Sequence, residues 1–230
     1  MGKGSVINLH SHTTFSDGSF TPDRIVKKAA EDGLTHIAIT DHFETSKVPS
    51  LKKCDLSNYI STIRDLGRKY EGTVRVLAGV EIDANPDRCR LDDLPFDLLN
   101  ELDLVLFEYV NDKSNGGADL EDIDHILSDI STLKGLAHSD IETCFSEMGH
   151  MELRDILCSM KLFIELNTAC LYRRDGLAFY ELAEEIIQKF DGMVGLSIGT
   201  DIHRQLSEVS NVRSAHGFVE RLGLTDSLIF

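Results

Sequence analysis

Two spacings of apolar residues alternate along the chain, and together they predict strands separated by helices. Runs of β-branched and apolar residues such as 35–42 and 74–83 are typical of buried strands. Between such runs, segments such as 22–33 and 55–70 place apolar residues three or four positions apart, which is the spacing of an amphipathic helix. The predicted strands begin at Val6 and lie at 35–42, 74–83, 102–110, 135–138, 162–167 and 193–203, and the predicted helices lie at 22–33, 55–70, about 120–133, about 147–160, about 177–190 and about 208–222.

This alternation predicts a parallel sheet, since a helix returns the chain to the start of each new strand. The predicted strands number seven, one fewer than in the usual closed barrel. We therefore expect an α/β fold of the distorted (β/α)7, TIM-like barrel type, with an open doubly wound sheet as the alternative. A length of 230 residues fits one domain spanning 1–230. The stretch 111–118 is rich in Asn, Gly and Ser and is expected to be a mobile loop.

The net charge of the chain restricts the classes of molecule that it can bind. The chain has 39 acidic and 23 basic residues and a formal net charge of −16 at pH 7. A surface of this sign repels phosphate backbones, so we expect a small substrate and no extended nucleic-acid surface.

The five cysteines are scattered without a Cys-x-x-Cys pair, which indicates reduced thiols. Because the sequence shows no membrane-spanning run and no signal-peptide pattern, we expect a cytoplasmic protein without membrane contact, in an oligomeric state left open.

Histidines and carboxylates recur where predicted strands end. His10 and His12 stand two positions apart after the first strand, and residues two apart on a strand project the same way. Asp201 and His203 repeat this spacing after the last strand. Because the parallel strands of a barrel end at one rim, we expect these side chains to meet in one cavity. The residues at strand ends are His10, His12, His42, Glu81, His138, Asp201 and His203, and Asp17 adds a carboxylate in the loop after His12.

These residue types indicate a metal centre. Imidazole and carboxylate ligands without thiolate suit zinc, iron(II) or manganese(II). The cluster offers more ligands than one ion needs, so we expect at least two divalent ions, with Glu81 as the bridging carboxylate. A hydroxide held between two ions is a nucleophile near neutral pH, and the ions neutralise charge on a phosphoryl group during in-line displacement. The pattern therefore favours hydrolysis by a metal-bound hydroxide.

The motifs at the strand ends resemble those of the PHP (polymerase and histidinol phosphatase) superfamily. In the family's order they read His10-Ser11-His12 with Ser16-Asp17-Gly18, Thr40-Asp41-His42, Gly79-Val80-Glu81, Ala137-His138-Ser139-Asp140 and Gly199-Thr200-Asp201-Ile202-His203. The resemblance implies a distorted (β/α)7 barrel, a centre of two or three metal ions and phosphoesterase activity. It also implies metal ligation by His10, His12, Asp17, His42, Glu81, His138, Asp201 and His203, with Glu81, Asp201 and His203 acting in catalysis.

The fourth predicted strand departs from the family's pattern. Members with three metals usually have a histidine at its end, where this chain reads Leu106-Phe107-Glu108-Tyr109-Val110. Glu108 is expected either to substitute as a metal ligand or to leave one site weakened. The number of ions, two or three, therefore stays open at this point.

Substrate-binding residues are expected after the sixth and the last strand. Glu165-Leu166-Asn167-Thr168 resembles the Glu-x-Asn-Thr strand of histidinol-phosphatase-like members, in which the asparagine lies near the pocket. Arg173, Arg174 and Arg204 follow in loops, where a guanidinium could clamp a phosphate through two hydrogen bonds. Three more carboxylates are expected either to orient ligating imidazoles or to act as caps, namely Asp41, Asp83 and Asp140.

Four functions compete at this stage. The leading hypothesis is a phosphomonoesterase acting on a small phosphorylated metabolite, with histidinol phosphate as one candidate. The second is a nuclease or nucleotide phosphodiesterase with the same cluster, because DNA-polymerase-associated members of the family proofread. Amidohydrolase barrels also open with His-x-His, but usually carry a bridging lysine on strand four, which this strand lacks. A metal-free scaffold of a ribonucleoprotein should have lost ligands and gained basic residues, and this chain has done neither.

Overall fold

Seven parallel strands follow one another around a barrel in a computed structural model that describes residues 4–230. Each strand of this sheet pairs with the next along the chain. The first and last strands also meet, because the N–H of Leu9 donates to the carbonyl oxygen of Ile198 at 2.7 Å and Ser11 pairs with Ile202 in parallel register. The predicted distorted (β/α)7 barrel is therefore confirmed, and the alternative of an open sheet is not.

The barrel strands are short and almost entirely buried. They are β1 Ile7–Asn8, β2 His36–Phe43, β3 Arg75–Asp83, β4 Leu104–Glu108, β5 Leu133–Leu136, β6 Leu162–Asn167 and β9 Leu196–Gly199, while β7 Arg173–Arg174 and β8 Leu177–Ala178 form a separate antiparallel hairpin. The helices are α1 Pro22–Glu31, α2 Leu56–Lys69, α3 Phe96–Leu99, α4 Asp124–Asp129, α5 Ile141–Cys144, α6 His150–Met160, α7 Phe179–Leu182, α8 Glu184–Lys189 and α9 Arg213–Leu222.

Helices α1 and α2 show how the apolar spacing becomes packing. Pro22 lies in the first turn of α1, where its missing N–H costs no hydrogen bond. Ile25 and Ala29, one turn apart, are buried in the core. In α2, the hydroxyl of Tyr59 lies 2.9 Å from the carbonyl oxygen of Ile39 and 2.8 Å from that of Gly79. This single buried hydroxyl connects α2 to both β2 and β3.

Two predicted helices are wrong in extent. The helix expected at about 120–133 is only α4, and Leu133 already belongs to β5, because Ile130 takes an extended conformation and ends the helix. The helix expected at about 177–190 begins instead as β8, which pairs with β7 across a turn at Asp175 and Gly176. Both turn residues have positive φ, 54° and 86°, as a tight hairpin of this kind requires. The remaining helical part divides into α7 and α8.

Three further expectations concern membrane-spanning segments, the loop 111–118 and the number of domains. Within residues 4–230, every helix is too short or too polar to span a bilayer. The predicted loop 111–118 contains a short 3-10 turn at Lys113–Asn115, capped by the side chain of Asp112. Its mobility stays a prediction, as does the single domain over 1–230, of which residues 1–3 lie outside the described part.

The barrel requires a glycine where β9 approaches β6 and the segment after β1. Gly199, the last residue of β9, lies where an added Cβ would overlap the carboxylate of Glu165 and the Cβ of His10. The close approach of β9 to β6 and to the segment after β1 therefore requires a residue without a side chain. Gly67 in α2 is a contrasting case, because its added Cβ would meet only the carbonyl oxygen of Val76, at 3.8 Å.

We predict that Gly199→Ala destabilises the protein by about 1–3 kcal/mol, because the new methyl group must displace Glu165 or His10 from a packed position. Gly67→Ala is the matched control and should stabilise α2 by about 0.5–1 kcal/mol, since alanine loses less conformational entropy in a helix. Urea unfolding midpoints measure both effects. Equal midpoints for Gly199→Ala and the wild type would contradict the close packing.

Candidate metal centre

The predicted ligands lie together at the rim where the barrel strands end. His10 and His12 follow β1, Glu81 lies near the end of β3, and Asp201 follows β9. These four side chains are buried, whereas Asp17 keeps 24% of its side chain exposed. The structure thus brings together all the side chains predicted as ligands, namely His10, His12, Asp17, His42, Glu81, Glu108, His138, Asp201 and His203.

Glu81 lies at the centre of the cluster. Its Oε1 is 2.9 Å from Nε2 of His138 and 3.3 Å from Nε2 of His10. Its Oε2 is 3.0 Å from Nδ1 of His42 and 3.3 Å from Nε2 of His12. A carboxylate that faces imidazoles through both oxygens has the arrangement expected of a bridging ligand.

Three overlapping groups of ligand atoms in the described part of the chain have all their members within 4.8 Å of one another. The rim group consists of His12, Asp17, His42 and His203, the central group of His10, His12, Glu81 and Asp201, and the strand-four group of His42, Glu81 and Glu108. Because the groups share His12, His42 and Glu81, they fit adjacent cations rather than separate sites. The clusters are consistent with several metal ions.

Unpartnered atoms within residues 4–230 support this fit. Nδ1 of His12 is buried without a hydrogen-bond partner, and Oε2 of Glu81 and Oδ1 of Asp201 are buried and face imidazole nitrogens. Nε2 of His10 and Nε2 of His12 face each other at 3.0 Å. Buried acceptors of this kind are normally satisfied by protons or cations. The donor set of imidazoles and carboxylates is therefore suited to zinc, manganese(II) or iron(II).

The electrostatics of these side chains also indicate that the cluster favours cations. Burial disfavours the imidazolium of His12, but the hydrogen bonds and charges of Asp201 and Glu81 outweigh burial and raise the pKa of His12 to about 10. Burial also disfavours the carboxylate of Asp201, yet the charge of His10 and the hydrogen bond from His12 hold the pKa of Asp201 well below its usual value. The cluster thus attracts positive charge strongly, whether protons or metal ions.

The backbone is strained where the strands end, and this directs the ligands inward. His138 has φ of 32° and Asp201 has φ of 48°, in the left-handed region that non-glycine residues avoid at a cost of about 1–2 kcal/mol each. The Nδ1–H of His203 donates to the carbonyl oxygen of Asp201 at 2.8 Å, which leaves the Nε2 lone pair free beside Asp17. The hydrogen bond to Asp201 thus orients the ring of His203 in the rim group.

The loop that carries Asp17 is held by Asp41. The carboxylate of Asp41 accepts hydrogen bonds from the N–H of Thr13 at 2.7 Å and from the hydroxyl of Ser16 at 2.6 Å. Of the two roles expected for Asp41, the structure shows a loop contact. Asp140 likewise acts as a cap, because its carboxylate accepts from the N–H of Thr143 in α5.

Two residues that support the ligands were missed by the sequence analysis. Oε1 of Glu165 lies 2.9 Å from Nδ1 of His10, and its Oε2 accepts the backbone N–H of His138 at 2.7 Å. The hydroxyl of Tyr172 donates to Oδ2 of Asp201 at 2.7 Å, and its ring stacks on His138 with centroids 4.0 Å apart. Glu165 lies near a strand end like Glu81, so the same positional signal could have identified it. Tyr172 lies in an irregular loop and has no such signal.

Lys47 is a third missed residue, and it changes the surroundings of Glu108. Nζ of Lys47 donates to both carboxylate oxygens of Glu108, at 2.8 and 2.7 Å, and to the hydroxyl of Tyr109 at 2.9 Å. Glu108 itself is buried and lies 3.5 Å from Nδ1 of His42. Glu108 therefore faces both the cluster and a fixed ammonium group.

A small cavity opens beside the cluster. Its volume is about 330 Å³, at the lower end for small-molecule sites. Three aromatic rings form part of its wall, those of Tyr109, Tyr172 and Phe179, and His138 joins them from the metal cluster. The charged side chains of the wall are Asp112 and Asp140.

The predicted substrate-binding residues have mixed positions. Asn167 is buried at the end of β6, where its Oδ1 accepts the N–H of Ala169 and its Nδ2 has no hydrogen-bond partner among the described residues. Arg173 is exposed and donates to the carbonyl oxygen of Gly176, and Arg204 is also exposed. Arg174 pairs with Asp140 at 3.2 Å and with Glu142. Among the residues that the structure describes, none of these arginines lines the cavity, so their contact with phosphate stays a prediction.

We predict that metal binding to the apoprotein releases protons. Because the folded-state pKa of His12 is raised from 6.5 to about 10, its protonation stabilises the metal-free fold fully below pH 6.5, and this stabilisation is lost as the pH rises through about 10. A ligating imidazole must be neutral, so metal affinity should rise about tenfold per pH unit for each proton displaced in this window. Calorimetric titration with Mn²⁺ in buffers of different ionisation enthalpy measures the release, and buffer-independent heats would refute it.

A second prediction concerns Glu165. Glu165→Gln keeps the size of the side chain but removes the negative charge that faces His10, so metal affinity should fall about 10–100-fold, the range for partners that orient metal ligands. Competition with a chelating dye measures the affinity. The matched control is Glu185→Gln, on the exposed surface of α8, which should leave the affinity unchanged. Identical affinities for all three proteins would show that Glu165 does not support the ligands.

Comparison with known proteins agrees with this geometry. The model of the PHP domain family matches residues 8–201. Over 100 residues the chain is 35% identical to the DNA polymerase/3'-5' exonuclease PolX of Bacillus subtilis, a match that covers 43% of this chain and 17% of that protein. Over 48 residues it is 44% identical to the 5'-3' exoribonuclease Rnm of Salmonella typhimurium, covering 21% of this chain and 16% of that protein. The matches thus span about a sixth of the length of these relatives.

A solved structure with the same fold covers nearly the whole chain. The crystal structure of histidinol phosphate phosphatase from Lactococcus lactis, complexed with zinc, L-histidinol and phosphate, superposes with a TM-score of 0.65 and 17% identity. The superposition covers 95% of this chain and 94% of that chain. With the family model matching from the first histidine motif to Asp201, the chain belongs to the PHP domain family of metal-dependent phosphoesterases.

Proposed function

We propose that this protein is a phosphomonoesterase that hydrolyses a small phosphorylated metabolite with the help of divalent metal ions. The observation that carries the proposal is the Glu81-centred cluster next to a cavity of about 330 Å³. His138 belongs to both, since it contacts Glu81 and lines the cavity. A phosphate group that enters the cavity would therefore reach His138 at the edge of the predicted metal centre.

The residues of the chain have distinct roles in this proposal. The central and rim groups would hold the ions; Glu81 belongs to the central group, and its Oε2 lies 3.3 Å from Nε2 of His12, which the two groups share. When bound, such ions supply Lewis acidity toward a phosphoryl oxygen and lower the pKa of a water molecule. Glu165 keeps the ring of His10 in orientation through Nδ1, and Tyr172 does the same for the carboxylate of Asp201. Asp201 would complete the central group beside Glu81, and His203, the more exposed of the two, would complete the rim group.

The chemistry of the cavity favours a compact substrate over a long polynucleotide. Its charged lining side chains, Asp112 and Asp140, are acidic, and the chain has a net charge of −16. Such walls repel the backbone of a long polynucleotide, which binding proteins normally hold through Lys and Arg. A single phosphate group, in contrast, would have its charge neutralised by the ions. Tyr109, Tyr172 and Phe179 offer apolar contact to the remainder of a small substrate.

An exonuclease or nucleotide phosphodiesterase is the second candidate. The sequence matches to PolX and Rnm favour it, since both names describe exonucleases. The same cluster could act on a terminal nucleotide whose base reaches the aromatic wall of the cavity. A diesterase differs from a monoesterase in the substituent that its site must accommodate on the phosphate, so substrate comparison separates the candidates.

The test compares p-nitrophenyl phosphate, bis(p-nitrophenyl) phosphate, histidinol phosphate and a short single-stranded oligonucleotide, with manganese, zinc and iron(II) supplied in turn. We expect kcat/KM for a monoester to exceed that for the diesters by at least about tenfold. A tenfold ratio corresponds to a difference of about 1.4 kcal/mol in transition-state stabilisation. The opposite order would favour the nuclease candidate and contradict our proposal. Histidinol phosphate is included because the superposed phosphatase contains histidinol and phosphate.

Asp201→Asn is the matching variant. It should lower kcat/KM more than about 100-fold, beyond the loss typical of residues that merely orient ligands. The control is His125→Ala, which removes an exposed imidazole paired with Asp92 and should leave turnover unchanged. Near-normal turnover by Asp201→Asn would show that the assigned centre is not the active site.

A further inference from the structure

Lys47 contacts one member of the strand-four group of His42, Glu81 and Glu108, a group whose ligand atoms lie close enough together to hold a divalent ion. Its Nζ is 2.8 and 2.7 Å from the two carboxylate oxygens of Glu108. Only 1% of the Glu108 side chain is exposed, so its charge must be compensated by neighbouring groups rather than by water. Both of its oxygens are already engaged by one ammonium group.

The ammonium group itself is held firmly. An ammonium has three N–H donors, and the contacts of Lys47 to Glu108 and to the hydroxyl of Tyr109 at 2.9 Å account for all three. Nζ also lies 4.6 Å from the centre of the Tyr109 ring, within the range of a cation–π contact. Lys47 is therefore unsuited to swing away toward a substrate, and it acts as a fixed charge.

His42 gives an independent reason why this group is incomplete as an ion site. Its Nε2 faces Asp17 in the rim group at 3.9 Å, whereas its Nδ1 faces Glu81 at 3.0 Å and Glu108 at 3.5 Å. A neutral imidazole has one lone pair and one N–H, so it serves one ion and donates its N–H to a neighbour. If His42 binds in the rim group, its Nδ1–H points to the carboxylates of the strand-four group.

We infer that the ammonium group of Lys47 takes the place of a third divalent ion, so that the centre holds two ions. This inference rests on the proposed function, because it assumes that the rim and central groups bind metal. Lys47 supplies the positive charge that Glu108 needs in a buried position. Removing Lys47 would free both oxygens of Glu108, which lie next to Glu81 and 4.0 Å from Nε2 of His138. Those three side chains could then hold an added ion.

The test counts bound metal by mass spectrometry of the elements after equilibrium dialysis against Mn²⁺. We expect two ions per chain for the wild type and three for Lys47→Met. Lys47→Arg keeps the charge and should keep two ions. Lys52→Met, which removes a nearby exposed lysine bound to Ser50, is the matched control and should also keep two.

Lys47→Met leaves the buried carboxylate of Glu108 without its partner and could therefore fail to fold. Variants of Glu108 provide a second measurement in that case. Glu108→Gln should keep two ions, because Glu108 binds Lys47 rather than metal. The double variant Lys47→Met/Glu108→Gln removes the charged pair together and should also hold two ions, since the added site needs Glu108. Circular dichroism and thermal unfolding of each variant identify any that fail to fold.

The results separate this inference from the proposed function. Three ions in the wild type, with one lost in Glu108→Gln, would overturn the inference and leave the phosphoesterase proposal intact. Two ions in the wild type, a gain to three in Lys47→Met and no hydrolysis of any phosphate ester would overturn the proposed function alone. Fewer than two ions in the wild type would overturn both.

Discussion

A buried carboxylate surrounded by imidazoles is the interaction on which the rest of this structure depends. Glu81 has no exposed surface, and ring nitrogens of four histidines lie within 3.3 Å of its oxygens. Transfer of such charges from water into a protein costs several kcal/mol for each ion unless opposite charges compensate. The parallel barrel provides that compensation, because it ends seven strands of the described chain at one rim and so gathers ligands from distant parts of the sequence.

The sequence predicted the barrel and the convergence of the named side chains at one rim, for one physical reason. A strand fixes the direction of its side chains through a period of two, and a parallel barrel fixes where every strand ends. His10, His12 and Asp201 could therefore be assigned to one rim from spacing and position alone. The strands 162–167 and 35–42 also agree with β6 and β2 within one residue, since β-branched and apolar runs mark buried strands clearly.

The sequence predicted less where tertiary contacts override local pattern. The segment 177–190 has helical spacing throughout, yet the turn at Asp175 and Gly176 draws its first residues into a hairpin. Lys47 and Tyr172 were missed because both lie in irregular loops, where spacing says nothing about direction. Their roles depend on distances across the molecule, 2.7 Å from Lys47 to Glu108 and 2.7 Å from Tyr172 to Asp201, which no local pattern encodes.

Tyr172 contributes both to the wall of the cavity and to the orientation of Asp201 in the predicted metal centre. Its ring forms part of the cavity wall and stacks on His138, while its hydroxyl holds the carboxylate of Asp201. A substitution that reshapes the wall would also release one carboxylate oxygen of Asp201, a predicted metal ligand. Evolution of substrate preference at this position is thereby coupled to retention of metal, so changes in specificity are easier at Phe179, whose ring forms part of the wall without touching Asp201.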